Sequence, residues 1–287
     1  MKGQETASRR DRPEFVREPM TSMHCRVATT QKELDDALRV RWAVFGGELK
    51  LMTAKSSPSR REVSCFDTLE TTVHLVVYAD REPVATLRML MTNPEVALAT
   101  GGRLGIELEQ RLDLSGIGGP GQVFAETARF CVLERWRQSE AVAHLQAGIH
   151  AESRRRGVTH WIAAANLETD SWEDARLSAQ VAAHRGWTSP RWRVRDSEPS
   201  DAPVFPSSPF YTPAERERAR WGRLDGLRMP RAPCLFARKM GARFISGPLY
   251  DASFGRFTLP LIAALDDVPA STLERFRALD GLLRRAG

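Results

Sequence analysis

In Val123-Phe-Ala-Glu-Thr-Ala-Arg-Phe-Cys-Val132 an apolar run is interrupted by one carboxylate and one guanidinium. Side chains alternate faces along a strand, which predicts Phe124, Glu126 and Ala128 on one side and Ala125, Thr127 and Arg129 on the other. A carboxylate in the middle of such a run must be hydrogen-bonded, ion-paired or functional, because an unpaired buried charge is costly. As a functional group it would do acid–base chemistry, with its proton affinity set by burial and neighbouring charge. A purely structural ion pair with neighbouring strands is the competing role. Cys131 is a thiol in the same run, but no histidine lies close in sequence to activate it, and it reads as a packed strand cysteine.

The flanking segments must position this strand. Cys25 to Thr30 has the composition of a short strand ending in a cap. Over Gln31 to Leu51, apolar Leu34, Leu38, Trp42, Phe45 and Leu49 follow helical spacing. Thr30 with Glu33 forms a capping box at its start, and Gly46-Gly47 weakens it near the end. Thr53 to Arg61 is a polar, mobile loop. Thr72 to Tyr78 and Val84 to Leu90 form an antiparallel hairpin around Ala79 to Pro83. Residues 92–121 are irregular, with a helical hint at Ile106 to Leu112. The glycines of Gly116 to Gly121 lack the lysine and following helix of a phosphate loop and serve as a connection.

Beyond the central strand, Val142 to Arg155 is a helix closed by cations and Gly157. His160 to Ala165 is a strand and Glu173 to Ala183 a helix. Strand, helix, strand, helix in this order predicts a mixed α/β sheet. Residues 188–233 are rich in Pro, Ser, Arg and Asp and are expected as an insertion over one face, a lid, with a charged helical piece at Pro213 to Trp221. Then come a helix over Cys234 to Met240, a strand over Arg243 to Gly247, and a strand over Thr258 to Ala264. Pro260 marks that last strand as an edge or a bulge. A helix over Ala270 to Leu283 follows.

Bulk properties bound the function. With 287 residues, 42% hydrophobic and 27% charged, the chain can bury a core. No apolar run reaches bilayer length, and residues 1–23 are a polar, flexible leader without a secretory h-region. The four cysteines and six histidines are dispersed, without metal spacing, which points to a reducing, cytoplasmic compartment and no metal site. The net charge of +6 favours an acidic partner or surface. It leaves room for peripheral membrane contact, while the absence of a reader motif argues against nucleic acid.

Several stretches together resemble the GNAT-superfamily acyltransferases that take fatty acyl groups from acyl carrier protein: acyl-homoserine-lactone synthases, long-chain N-acyl amino acid synthases and ornithine-lipid acyltransferases. They are Arg41-Trp-Ala-Val-Phe45, Phe66-Asp67, Leu87-Arg-Met-Leu-Met-Thr92, Glu126-Thr-Ala-Arg-Phe130, and Lys239 to Asp251 with Phe254. They lie in the family's order between about Arg26 and Asp267. The resemblance implies one domain over residues 24–287 with a GNAT-like α/β (α+β) fold: a mixed, mostly antiparallel sheet, helices on both faces, splayed at the central strand. It implies an N-acyltransferase moving a long acyl chain to the amine of an amino acid or similar small acceptor. The donor would be acyl carrier protein, through its phosphopantetheine thioester, or acyl-coenzyme A, with no tightly bound cofactor.

The resemblance further implies that Glu126, assisted by Arg129, is the catalytic base, Arg129 keeping it ionised. Arg41, Phe45, Asp67, Arg88, Phe130, Cys131 and Val132 would hold substrate, the last three through strand N–H groups facing the thioester oxygen. One departure concerns Leu133 to Glu140. It lacks the glycines with which coenzyme A-binding relatives hold pyrophosphate, and this favours a protein-borne donor. The alternatives are an N-acetyltransferase using acyl-coenzyme A and a non-catalytic GNAT-like module that binds a lipid or carrier protein.

Overall fold

The computed structural model describes residues 22–52, 57–195 and 205–283. Most of the expected leader, part of the polar loop (53–56) and the middle of the expected insertion (196–204) lie outside the described residues.

Eight strands form one sheet in the order β1-β2-β3-β4-β5-β8-β6, with β7 also on β8. They are β1 (Met23–Val27), β2 (Thr72–Ala79), β3 (Glu82–Met91), β4 (Phe124–Val132), β5 (His160–Asn166), β6 (Arg243–Phe244), β7 (Leu249–Asp251) and β8 (Arg256–Ala264). Every pairing is antiparallel except β4 with β5. The helices are α1 (Gln31–Trp42), α2 (Pro94–Thr100), α3 (Ala141–Arg155), α4 (Trp172–His184), α5 (Pro213–Arg220), α6 (Arg231–Lys239) and α7 (Ala270–Leu283).

The helices cover both faces. Leu75 and Val77 of β2 share the main core with Leu145 and Ile149 of α3 and with residues of α4, α6 and α7. Val76 and Tyr78, which alternate with them, meet Ala37 of α1 on the other face. On that second face Leu90, Phe124 and Ile162 pack under Leu104, Ile106 and Leu108 from the segment between β3 and β4.

Three local readings are corrected. The first helix ends as α-helix at Trp42 and continues as a π-helical turn over Ala43–Glu48. There Gly46 lets the turn lie close over the Trp42 ring, to which a Cβ would stand only 3.0 Å away. The irregular stretch after β3 contains α2, capped by the Asn93 side chain on the Glu95 and Val96 amides with Pro94 in its first turn, a signature legible in Asn93-Pro94. Finally, β8 is interior rather than an edge. Pro260 pairs with Ala164 of β5 on one side and accepts from Ile245 N–H at 3.0 Å on the other. Its missing N–H falls in the break between β6 and β7, where no ladder bond is lost.

Within the expected lid, residues 207–227 pack beside α4. Ser207 and Ser208 bond to Asp170, the Phe210 amide and the Arg216 guanidinium bond to Asp174, and Tyr211 and Leu227 pack on Leu177 and Val181. Residues 188–195 of the same expected insertion lie on the second face instead, where Trp192 and Val194 pack against the cluster of Phe124 and Ile162.

Candidate active site

β4 and β5 pair through three residues only, Phe124 to Glu126 against His160 to Ile162. Beyond Glu126, β4 stays with β3 as far as Val132, and β5 stays with β8 as far as Asn166. The two halves of the sheet therefore diverge at Glu126, opening a gap bounded by two strand edges.

A bulge re-aims the side chains past that point. Arg88 pairs with Ala128 and Thr86 with Cys131, so the ladder absorbs an extra residue opposite Leu87. Arg129 sits at φ +57°, a left-handed conformation uncommon for any residue but glycine. The expectation that Arg129 faces away from Glu126 is thereby overturned: both side chains lie on the α1 face. Cys131 also lies there, buried and packed on Val40 and Val44. Burial pushes its thiol pKa well up, which leaves it a poor nucleophile.

The α1 face of the gap carries a closed ring of alternating charge. Arg41 bonds to Glu62 at 2.5 Å and to Asp67 at 2.6 and 3.0 Å. Arg88 bonds to Asp67 at 3.1 Å and to Glu107. Arg129 bonds to Glu107 at 3.0 and 3.2 Å and to Glu62 at 3.0 Å, which closes the circuit. Arg41 and Arg88 are fully buried. Burial alone would raise the Asp67 pKa, but Arg41 and Arg88 overcome it and hold the group at about 2. Phe45 packs against Phe254 with ring centroids 4.7 Å apart, and the Arg129 guanidinium stands 5.4 Å from the Phe254 ring. Glu62 and Glu107 escaped the sequence reading. Both lie in irregular segments, and only the fold shows what they pair with.

Glu126 is buried, and its Oε2 accepts the Leu108 N–H at 2.9 Å. Burial and the nearby Glu107 charge push its pKa up to about 7, against smaller opposing effects of the Leu108 amide, Arg88 and Arg129. Arg129 thus favours the ionised form in the direction expected, but its guanidinium is held by Glu62 and Glu107, and burial with the Glu107 charge outweighs it.

The opposite face of the gap is apolar. Leu87, Thr127, Phe130, Trp161, Phe236 and Leu261 help line a narrow cleft between the diverging strands and helices α3 and α6. Along the β4 edge, Leu133 N–H bonds to Val84 O at 3.0 Å, while Val132 O accepts from Arg137 at 3.2 Å. Since backbone groups alternate sides along a strand, the Val132 N–H points away from β3. Cys131 N–H turns towards β3 and leaves the set expected to face the gap. In the glycine-free segment that follows, Glu134 N–H donates to Glu48 at 2.9 Å and Arg137 pairs with the same carboxylate.

Among the described residues no group of three or more His, Cys, Asp or Glu side chains could hold a metal ion, and no helix is long and apolar enough to cross a membrane.

Residues 40–147 match the family model described as acetyltransferase (GNAT) domain. The chain is 26% identical over 183 residues to an L-ornithine N(alpha)-acyltransferase of Agrobacterium fabrum, a match covering 60% of each chain. It is also 26% identical over 190 residues to the Rhizobium meliloti protein of the same name, covering 61% of this chain and 60% of that one. The matches thus span less than two thirds of the length of these curated relatives. Among solved structures, the coenzyme A-dependent acyl-homoserine lactone synthase BjaI superposes with a TM-score of 0.50 at 14% identity, covering 91% of this chain and 90% of that one. That likeness is one of fold.

Proposed function

We propose, from the match of residues 40–147 to the acetyltransferase (GNAT) domain model, that this chain is an N-acyltransferase. It moves a long-chain acyl group from a thioester donor to the amine of an amino acid. The observation that carries this reading is the position of Glu126, the last residue of the short β4–β5 pairing, buried and with a pKa of about 7. A carboxylate of that proton affinity can collect a proton from an amine near neutral pH.

The acceptor enters on the charged side of the gap, beside Phe45, Phe254 and Arg129. The acyl chain lies on the apolar side, against Thr127 and Phe130. Glu126 takes a proton from the amine, directly or through one water. The nitrogen attacks the thioester carbonyl, and the Val132 N–H stabilises the charge that develops on its oxygen. Collapse of the tetrahedral intermediate forms the amide and breaks the C–S bond; the thiolate then takes up a proton. Holding both reactants at the gap supplies proximity, and no acyl-enzyme is needed.

The donor is carrier-borne in this reading. With Glu134 N–H already on Glu48, the segment after β4 presents a carboxylate where a pyrophosphate would need free amides. The names of the curated relatives favour an amino acid acceptor.

Thiol release, with and without an amino acid, tests the proposal. Hexadecanoyl carrier protein and hexadecanoyl-coenzyme A are compared as donors, with L-ornithine as one acceptor. The expected result is amine-dependent release, faster from the carrier protein. Amine-independent release from both donors contradicts it. Thr127→Phe should overfill the cleft. We expect kcat/KM for hexadecanoyl donors to fall about tenfold or more, since overpacking costs about 1–3 kcal/mol, with a smaller loss for a butanoyl donor.

A further inference from the structure

We propose that Glu107, acting through Glu126, is a positioning residue for the acyl transfer inferred above. It governs both where Glu126 stands and how strongly Glu126 holds a proton.

Two independent features of one short turn carry this. The 3-10 turn Glu107–Gln110 supplies the Leu108 N–H that grips Glu126 Oε2 at 2.9 Å. The preceding residue is Glu107 itself, whose carboxylate occupies Arg88 on one side and Arg129 on the other. The turn therefore places a donor on the base and, one residue away, removes from it the two cations that share its face.

The groups facing Glu126 are few. They are Leu108 N–H and Glu107 from the turn, Arg88 from β3, and Arg129 from its own strand. Across the ladder on β5 stands Ile162, and Leu104, Ile106 and Phe66 close the same side with apolar surface. The ring of Arg41, Arg88 and Arg129 with Glu62, Asp67 and Glu107 is balanced by itself. An ionised Glu126 is thus an additional negative charge in a buried site, and it has no cation of its own. If Glu107 is made neutral, Arg88 and Arg129 become available to Glu126, which then holds its proton less tightly. The upward shift of Glu126, with Glu107 next after burial among its causes, agrees with this geometry.

The test is Glu107→Gln, which keeps the size of the side chain. In the wild-type protein the acidic limb of the kcat/KM profile should lie near the Glu126 pKa of about 7. In Glu107→Gln it should move to lower pH by about one unit or more, the scale on which a neighbouring charge acts. Glu107→Asp, which restores the charge, should return the limb towards its wild-type position. Infrared titration of the protonated carboxyl band in the substrate-free protein reads the same group without turnover. The band should be absent from Glu126→Gln and titrate at lower pH in Glu107→Gln. A variant that only loses rate, with limb and band unmoved, overturns the proposal. Should the wild-type protein transfer no acyl group, the assay has refuted the function, and the infrared titration still decides the role of Glu107.

Discussion

Replacing Glu126 by Gln is expected to lower kcat for acyl transfer by about 10²- to 10⁴-fold, the usual contribution of a positioned acid–base group. The amide can still accept the Leu108 N–H, so the donor-binding cleft should persist and KM for the acyl donor should change little. Stability should move in the opposite direction from activity. Glu126 has a folded-state pKa of about 7 against a reference value of 4.5, so the native state binds its proton more tightly than the unfolded chain. Its contribution is fully present below pH 4.5 and is lost as pH rises through about 7. At pH 8 the ionised group costs about 3 kcal/mol, taking about 1.4 kcal/mol per unit. Urea unfolding at that pH should therefore find Glu126→Gln more stable than the wild-type protein. Loss of turnover together with gained stability is the signature of a group retained for chemistry. A variant that loses stability at pH 8 would make Glu126 structural.

The second large effect is expected at Asp67. Its carboxylate bonds to both Arg41 and Arg88, neither of which is exposed to solvent. Asp67→Ala leaves two buried guanidinium groups short of a partner, a change of the kind that costs about 3–5 kcal/mol. The same interactions predict a pH signature. The Asp67 pKa lies at about 2, below the reference 3.8, so its contribution is present above pH 3.8 and is lost as pH falls through about 2. That window corresponds to about 2 kcal/mol. Urea midpoints measured between pH 5 and pH 2 should fall for the wild-type protein, and the part due to this group should be missing from Asp67→Ala. Equal acid sensitivity in both proteins would mean that the ring does not depend on Asp67.

Local signals in the sequence were enough for much of the scaffold. Thr30 and Glu33 cap α1 reciprocally, as their spacing predicts, and the β2–β3 hairpin turns between Ala79 and Glu82. Glu126, Arg129, Arg41, Asp67 and Arg88 could be picked out because a charge inside an apolar run is conspicuous, and because their order resembles that of known acyltransferases. What stayed hidden depends on contacts distant in sequence. The bulge at Arg129 occurs without glycine or proline, so alternation alone placed that side chain on the wrong face. Glu62 and Glu107 look like ordinary loop acids until Arg41, Arg88 and Arg129 are brought around them. The raised proton affinity of Glu126 was illegible for the same reason. It depends on which carboxylate holds the neighbouring arginines, and Glu107 is nineteen residues away in the chain.

The most direct test of the acyl-transfer account is the mass of what the protein makes. Purified protein is incubated with hexadecanoyl carrier protein and a mixture of amino acids, and both the small-molecule extract and the intact protein are weighed by mass spectrometry. The account predicts an N-hexadecanoyl amino acid formed one for one with released carrier thiol, and an enzyme of unchanged mass. Free hexadecanoic acid as the sole product, or an acylated protein that accumulates and then passes its acyl group on, would contradict direct transfer at Glu126.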